Sequence, residues 1–531
     1  MSGDDFERLT AQRTSALMAG QIAATLISFA GTIVLVFFLG SSDFGILNVL
    51  YAIPFLISMI SDIGMRGSCT TMISDSMNKG DGIMASRIAT TGLLITCILG
   101  VICTGTLLLL SNNLVLLLLG SDRYLPSCRY AILGLLTNSV FNTTGSIIIG
   151  FGRMREMSAL MVIHTSCRAT ISPWIVYLGF GINGALVGFL SAQTVAITVS
   201  LIFIYSFTHG AHIAVEGPAS FYSIAHEMIV LGLPISFSHA IDYSATPLLN
   251  VLLSQSASHE TIGYFNVAAS FSGLVLMITT PLSNSFFQAF SIKDWSQKRT
   301  DLFNLFRKSV FHLELILIPL LCVLSLISIP VVTFLYGSEF YIAGQYLSIF
   351  VFTFLASALG LPICVSFLKG TRRTYSGSGI SVLSLVSSFA IIIWIVVPRN
   401  ITNIIISLTA GPMIALVIGY LLIWKMYGLE PEFKKLLAVL IVAAVGLILS
   451  YACKSTLWFL PTYFLLLSVC SIFILTYLIL LVLFRVVDEG TFVEMQTIYE
   501  GKSLLGFVFG AFIIVERALL HLITGENRTE S

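Results

Sequence analysis

The amino-acid sequence predicts an all-α polytopic membrane protein of about 14 transmembrane helices, built as two parallel six-helix repeats plus two C-terminal helices. Three observations carry this. The 531 residues are 56% hydrophobic and 10% charged, with a mean hydropathy of +0.96, against about 25% charged in ordinary soluble domains. Apolar runs of roughly 20 residues, enough to cross a hydrocarbon core of about 30 Å, recur along nearly the whole chain. Short motifs then return in the second half at a nearly constant offset. The runs are too long and too uniformly apolar for the alternating segments of about 10 residues that build a membrane β-barrel.

In chain order, Met1–Thr14 is polar and charged, so the first apolar run is expected to remain as a span and not to be removed as a signal peptide. Six spans are expected at approximately 15–40, 44–69, 87–110, 129–150, 157–178 and 182–207. Six more follow at 226–254, 262–290, 309–329, 342–368, 376–397 and 402–425, and two at 436–453 and 458–484. The organisation is therefore an N-terminal lobe over 1–207, a linker over 208–225, a C-terminal lobe over 226–430, two additional helices over 431–485 and a tail over 486–531. The segment 503–523 is apolar but carries Glu516, Arg517 and His521. Its uninterrupted part is too short to span, which points to an interfacial or re-entrant helix.

Lysine and arginine placement sets the orientation. Loops on the amino-terminal side carry seventeen of them, among them Arg153, Arg155, Lys298 and Arg299; the other side carries Arg123, Arg129, Arg399 and Lys454. Linker and tail are thus expected in the cytoplasm, as are both termini. The external loops are too short to fold a domain, so function is expected within the bundle or at its mouths.

The repeat is readable directly. Asp43-Phe44-Gly45-Ile46-Leu47-Asn48-Val49 returns as Thr261-Ile262-Gly263-Tyr264-Phe265-Asn266-Val267, shifted by 218. Leu118-Leu119-Gly120-Ser121-Asp122-Arg123-Tyr124 returns as Leu335-Tyr336-Gly337-Ser338-Glu339-Phe340-Tyr341, shifted by 217, and Gly152 and Arg155 return as Gly370 and Arg373, shifted by 218. Six spans per half preserve orientation, so the repeats are parallel, an arrangement that in transporters places the substrate site between the halves.

Ionisable side chains inside spans are costly and point to function. Asp62 and Arg66 lie four apart near the end of the second span, and His164 and Arg168 share that spacing in the fifth. His239 and Asp242 are three apart in the seventh, bracketed by Pro234 and Pro247, which makes that span the hinge expectation. His312 and Glu314 enter the ninth. Arg168 and Asp242 sit near mid-depth, where neither snorkels easily. A guanidinium there suits a phosphate through two parallel hydrogen bonds; an ion pair between packed helices is the competing reading.

Nine cysteines stand singly, without a Cys-x-x-Cys pair, and read as packing. No Walker-type loop or zinc pattern is present, and no metal, cofactor, catalytic residue or nucleic-acid partner is expected.

Phe38-Leu39-Gly40 through Asp43-Phe44-Gly45, with Ser61-Asp62-Ile63-Gly64-Met65, resembles the opening turn and the close of the second span in one family. The Leu-x-Gly-Ser-acidic-x-Tyr turn and Gly152-Arg153 also fit it. This is the polysaccharide-exporter (Wzx-like flippase) branch of the multidrug/oligosaccharidyl-lipid/polysaccharide flippase superfamily. The resemblance covers the twelve repeated spans. It implies a non-enzymatic flippase of the cell membrane that moves a polyprenyl-(di)phosphate-linked oligosaccharide by alternating access for surface polysaccharide or glycan biosynthesis. It also implies contact with membrane lipid and coupling to a proton or sodium gradient, for which Asp242 or Glu314 could serve. The alternative is a cation-coupled drug or metabolite antiporter of the same fold.

Overall fold

The computed structural model describes residues 3–62, 64–208, 218–292, 299–371, 373–395, 401–430, 432–456, 462–484 and 486. The apolar segment at 503–523 lies outside the described residues. Long apolar runs leave the backbone nowhere to satisfy its polar groups in lipid except along the helix, and the described residues are helical almost throughout. In order the helices are α1 (Gly3–Ser61), α2 (Met65–Asn78), α3 (Gly82–Leu109), α4 (Ser111–Leu119), α5 (Leu125–Gly150), α6 (Met154–Ile175), α7 (Gly181–Thr208), α8 (Pro218–Ser254) and α9 (His259–Ser270). Then come α10 (Ser272–Ile292), α11 (Arg299–Tyr336), α12 (Tyr341–Phe350), α13 (Leu355–Ala358), α14 (Leu361–Gly370), α15 (Thr374–Ile395), α16 (Ile401–Tyr427), α17 (Phe433–Thr456) and α18 (Thr462–Leu483).

Among the described residues, 11 helical stretches are long and apolar enough to cross a membrane. Two of these, Leu17–Met59 with 43 residues and Met154–Thr208 with 55, exceed what one crossing needs at 1.5 Å per residue. Each breaks at a glycine outside the helical region, Gly40 at φ 75° and Gly179 at φ 94°, and so holds two of the spans expected from sequence. The protein is an all-α, multi-pass membrane protein.

Two compact units divide the chain: one comprises Met1–Met277 with Leu335–Phe340, the other Ile278–Phe334 with Tyr341–Ser531. In the first unit α1 packs along α6 through small residues. A methyl carbon at Gly31 would lie 2.5 Å from the Ala169 Cβ, and one at Gly20 would overlap the Ser158 hydroxyl. Without a hydrophobic drive between helices in lipid, such close approach is what holds them together. In the second unit an aromatic cluster of Phe290, Phe306, Phe367 and Tyr427 joins α10, α11, α14 and α16, with Phe367 centroids 5.0–5.2 Å from the other three.

Two landmarks of the repeat fold alike. Asn48 donates its side-chain amide to the Phe44 carbonyl at 2.8 Å, and its twin Asn266 donates to Ile262 at 2.9 Å. Gly120 and Gly337 both take positive φ, 64° and 103°, and each leads into a 3₁₀ turn, Asp122–Tyr124 and Ser338–Phe340. The third pair diverges: Gly152 has φ 72°, whereas Gly370 is the last residue of α14.

The first landmark does more than repeat. Gly45 on α1 faces the backbone of α9, where a methyl carbon would lie 2.0 Å from the His259 carbonyl oxygen. Gly263 on α9 faces α1, where a methyl carbon would lie 1.9 Å from the Ser41 carbonyl oxygen. Ser41 and His259 are themselves 218 residues apart, so the two contacts are reciprocal. Only glycine lets both backbones come this close.

Candidate functional site

The second span ends at a break. Asp62 and Gly64 form the turn between α1 and α2, and Gly64 takes φ 85°. A side chain at Gly64 would also collide with the Gly232 backbone of α8, 2.1 Å away. Gly64→Ala therefore combines conformational strain with a clash, and is expected to lower the yield of folded protein in detergent more than Gly67→Ala within α2. Size-exclusion recovery of the two variants checks this.

Asp62 and Arg66 do meet: Arg66 Nε stands 3.5 Å from Asp62 Oδ2, with side chains 39% and 8% exposed. The contact is an ion pair and not an aligned hydrogen bond, since Arg66 Nε and Asp62 Oδ1 have no hydrogen-bond partner among the described residues.

Next to Asp62 begins a buried polar chain that the reading for ionisable residues missed. Ser61 and Ser139 share a hydrogen bond at 2.8 Å, and Ser61 Oγ donates to the Ser58 carbonyl at 3.0 Å. Asn138 Nδ2 donates to Ser58 Oγ at 3.2 Å, and Gln193 Nε2 donates to Asn138 Oδ1 at 3.3 Å. Thr137 Oγ1 closes the chain by donating to Gln193 Oε1. These bonds tie α1, α5 and α7 together inside the first unit. Interhelical hydrogen bonds in membranes average about 0.6 kcal/mol and reach about 1.7. Gln193→Leu takes the donor from Asn138 Oδ1 and leaves Thr137 with its bond to the Gly134 carbonyl at 3.2 Å, so a loss near the average figure is expected, read as a lower midpoint in thermal unfolding.

Arg168 and His164 lie on one side of α6, as their spacing predicts. The Arg168 guanidinium carbon sits 5.2 Å from the centroid of Phe189 on α7, and the Tyr51 ring of α1 meets the same Phe189 at 5.1 Å. Arg168 is thus held on an aromatic pair, a cation–π arrangement. The His164 ring lies 4.6 Å from that of Phe141, and its Nε2 has no hydrogen-bond partner among the described residues. The side chains of Pro234, His239 and Asp242 lie outside the described residues; Pro247 is half-buried on α8.

A cavity of about 360 Å³ opens in the first unit between α1, α6, α9 and α10. Its α1 wall carries Gln21, Thr25, Ser28 and Thr32, whose spacing of four, three and four residues places them on one face. That stripe, roughly 16 Å long at 1.5 Å per residue, is the sequence signal that a search for charges passes over. Thr165 and Ser270 add hydroxyls from α6 and α9, while Ala24, Phe29 and Gly273 complete the wall. None of these nine lining residues is ionisable.

In the second unit Glu314 is 1% exposed on α11, and its Oε1 has no hydrogen-bond partner among the described residues. It lies within electrostatic reach of Tyr420 on α16, whose hydroxyl donates to the Leu359 carbonyl at 2.5 Å.

A family model described as polysaccharide biosynthesis protein matches residues 10–292. Among solved structures, the chain is similar to the lipid II flippase MurJ in an inward closed conformation, with TM-score 0.67 and 13% identity, covering 90% of this chain and 99% of that one. It is also similar to an inward-facing multidrug resistance MATE family transporter, with TM-score 0.63, 16% identity and coverage of 77% and 98%. A MOP superfamily transporter from Pyrococcus furiosus matches with TM-score 0.60, 17% identity and coverage of 79% and 95%. No curated protein matches the chain. At these identities the structural likenesses establish the fold.

Proposed function

The chain belongs to the polysaccharide biosynthesis protein family of the multidrug/oligosaccharidyl-lipid/polysaccharide flippase superfamily, and from that premise we propose that it flips a polyprenyl-(di)phosphate-linked oligosaccharide across the cytoplasmic membrane. Movement is by alternating access, with both termini cytoplasmic, as the lysine and arginine asymmetry supports. The observation that carries this reading is the uncharged, hydroxyl-rich cavity of the first unit. A cationic drug leaving water needs a paired negative charge; a glycan needs hydrogen-bonding neutral groups and an apolar wall, which this cavity supplies. The MurJ likeness, covering 90% of the chain and to a protein described as a lipid II flippase, agrees with a lipid-linked cargo.

The test is reconstitution in liposomes with a fluorescent polyprenyl-diphosphate sugar, following the label accessible in each leaflet. Passage of the label supports the reading. Exclusion of the label with passage of a cationic drug replaces it with the antiporter.

Arg168 is assigned to the phosphate. Its guanidinium presents a planar fork, prepositioned on Phe189. A hydrogen bond to a charged group contributes about 1.5–3 kcal/mol, so Arg168→Ala is expected to slow flipping about 10- to 150-fold. Arg168→Lys, with a point charge and no fork, should recover only part of this. Equal rates for Lys and Arg would remove the phosphate assignment.

A further inference from the structure

Three consecutive spans of the second unit carry an exposed aromatic ring at the same end. The apolar stretches Thr374–Ile393, Ile401–Tyr427 and Phe433–Lys454 follow one another through short connections. The start of α15, the end of α16 and the start of α17 therefore share one side of the membrane, cytoplasmic in the orientation proposed above. There Tyr375 is 88% exposed, Trp424 51% and Phe433 57%.

Each ring closes a face that meets lipid. On α16 the exposed Ile414, Val417 and Leu421 lead to Trp424 in steps of three, four and three residues. On α17 Phe433, Leu437 and Ile441 are exposed in steps of four, and on α15 the exposed Val386 stands about three turns from Tyr375. Apolar side chains left open on a span face acyl chains, and an aromatic ring at the end of that face sits at headgroup level.

Beside each ring stands an exposed cation: Arg373 next to Tyr375, Lys425 after Trp424 and Lys434 after Phe433. None of the three makes an ion pair among the described residues. Their neighbours are committed. Lys435 pairs with Glu432 at 3.0 Å and lies 5.5 Å from the Phe311 centroid, and Arg307 Nε donates to the Glu430 carbonyl at 3.0 Å. Glu430 is the one other carboxylate between α16 and α17, so three cations face a single acidic side chain.

The first half does not repeat this collar. At the offset that relates Arg155 to Arg373, the twin of Tyr375 is Met157, 7% exposed, and the twin of Lys425 falls within 205–208, which holds no cation. Arg153 is spent there on Glu156 at 3.5 Å and on the Phe207 ring at 4.8 Å. The general excess of cytoplasmic cations accounts for positive charge at this end of both halves. It does not account for cations set beside exposed rings in only one.

We propose that the collar of Tyr375, Trp424 and Phe433 with Arg373, Lys425 and Lys434 is a binding site for anionic phospholipid of the adjoining leaflet. The rings seat in the headgroup region, and the cations hold the phosphodiester. A zwitterionic lipid offers the same phosphate but brings its own ammonium group, so the unpaired cations favour the anionic one. The site lies outside the transport path and its existence does not depend on the flippase reading.

The experiment uses the full chain in phosphatidylcholine nanodiscs, with Trp424 kept and Trp174, Trp295, Trp394 and Trp458 replaced by Phe. Bromine on acyl chains quenches indole emission on contact. Titrations with brominated phosphatidylglycerol and brominated phosphatidylcholine therefore give the headgroup preference beside Trp424. A preference of at least about tenfold for the anionic lipid is expected. Arg373→Gln, Lys425→Gln and Lys434→Gln should each lower it about 5-fold, the equivalent of about 1 kcal/mol per cation at an anionic surface. Arg155→Gln removes the same charge at the repeat twin and should leave the preference unchanged. Equal quenching by the two lipids overturns the site. An equal loss with Arg155→Gln also overturns it, because a diffuse field then attracts the lipid. Displacement of the brominated anionic lipid by equimolar bare polyprenyl diphosphate gives the collar to the carrier and overturns phospholipid as its occupant. If the single-tryptophan protein fails to fold, the difference in quenching between the parent and Trp424→Phe reads the same preference.

Discussion

Gly263→Val is expected to abolish flipping, with Gly263→Ala and Gly45→Ala producing the same defect in milder form. Even one methyl group at Gly263 would sit 1.9 Å from the Ser41 carbonyl oxygen, which is backbone and cannot swing aside. Overpacking of this kind typically costs about 1–3 kcal/mol, and more for larger side chains. About 5.5 kcal/mol separates a 1:99 population from 99:1, so a 3 kcal/mol penalty on one arrangement of α1 and α9 carries the equilibrium more than half that way. A transporter whose cycle passes through this arrangement loses the state in which the two helices touch. The double variant Gly45→Ala with Gly263→Ala should be little worse than either single one, since the first substitution already parts the backbones and coupled sites are not additive. Spin labels at Asp43→Cys and Glu260→Cys, in a background without the nine native cysteines, should report a longer distance. Unaltered distance and transport would sink the idea.

Glu314→Leu is expected to raise thermal stability while reducing transport at least tenfold. Glu314 is 1% exposed, and its Oε1 is buried without a hydrogen-bond partner among the described residues. A buried unsatisfied polar group costs about 1–3 kcal/mol, and well-packed apolar replacements of buried ionisable groups are often neutral or stabilising. A group kept against that cost points to use in the cycle. Glu314→Gln, close in shape, separates the two effects: it should fold as the parent does and still transport poorly. A fully active Glu314→Leu protein would make the residue an accident of packing.

The membrane fold was legible because hydropathy summed over about 20 residues depends little on which faces later meet. The duplication was legible because glycine and asparagine at the turns have local jobs, repeated in the Asn48 and Asn266 bonds. The Gln193–Asn138–Ser58 chain was not, since neutral amides and hydroxyls are tolerated on many span faces and only tertiary packing brings three helices' worth together. The same holds for the cavity. Its α1 stripe is visible as Gln21, Thr25, Ser28 and Thr32, but nothing in the spacing says that Thr165 and Ser270 stand opposite. The Asp62–Arg66 pair was readable from spacing alone, although Asp62 proved to lie in the break between helices.

The reciprocal contact of Gly45 with His259 and Gly263 with Ser41 has the form of an isologous interface, in which each partner offers the other the same patch. Here both partners belong to one polypeptide. The contact is consequently indexed: it survives drift in side chains, as the change from His259 to Ser41 shows, but it does not survive a change in count. One residue inserted between Ser41 and Gly45 would turn the glycine by about 100° around α1 and leave a substituted carbon facing α9. Sequences built on this plan should vary freely in the identities within this turn while holding the four-residue step from carbonyl to glycine constant in both halves.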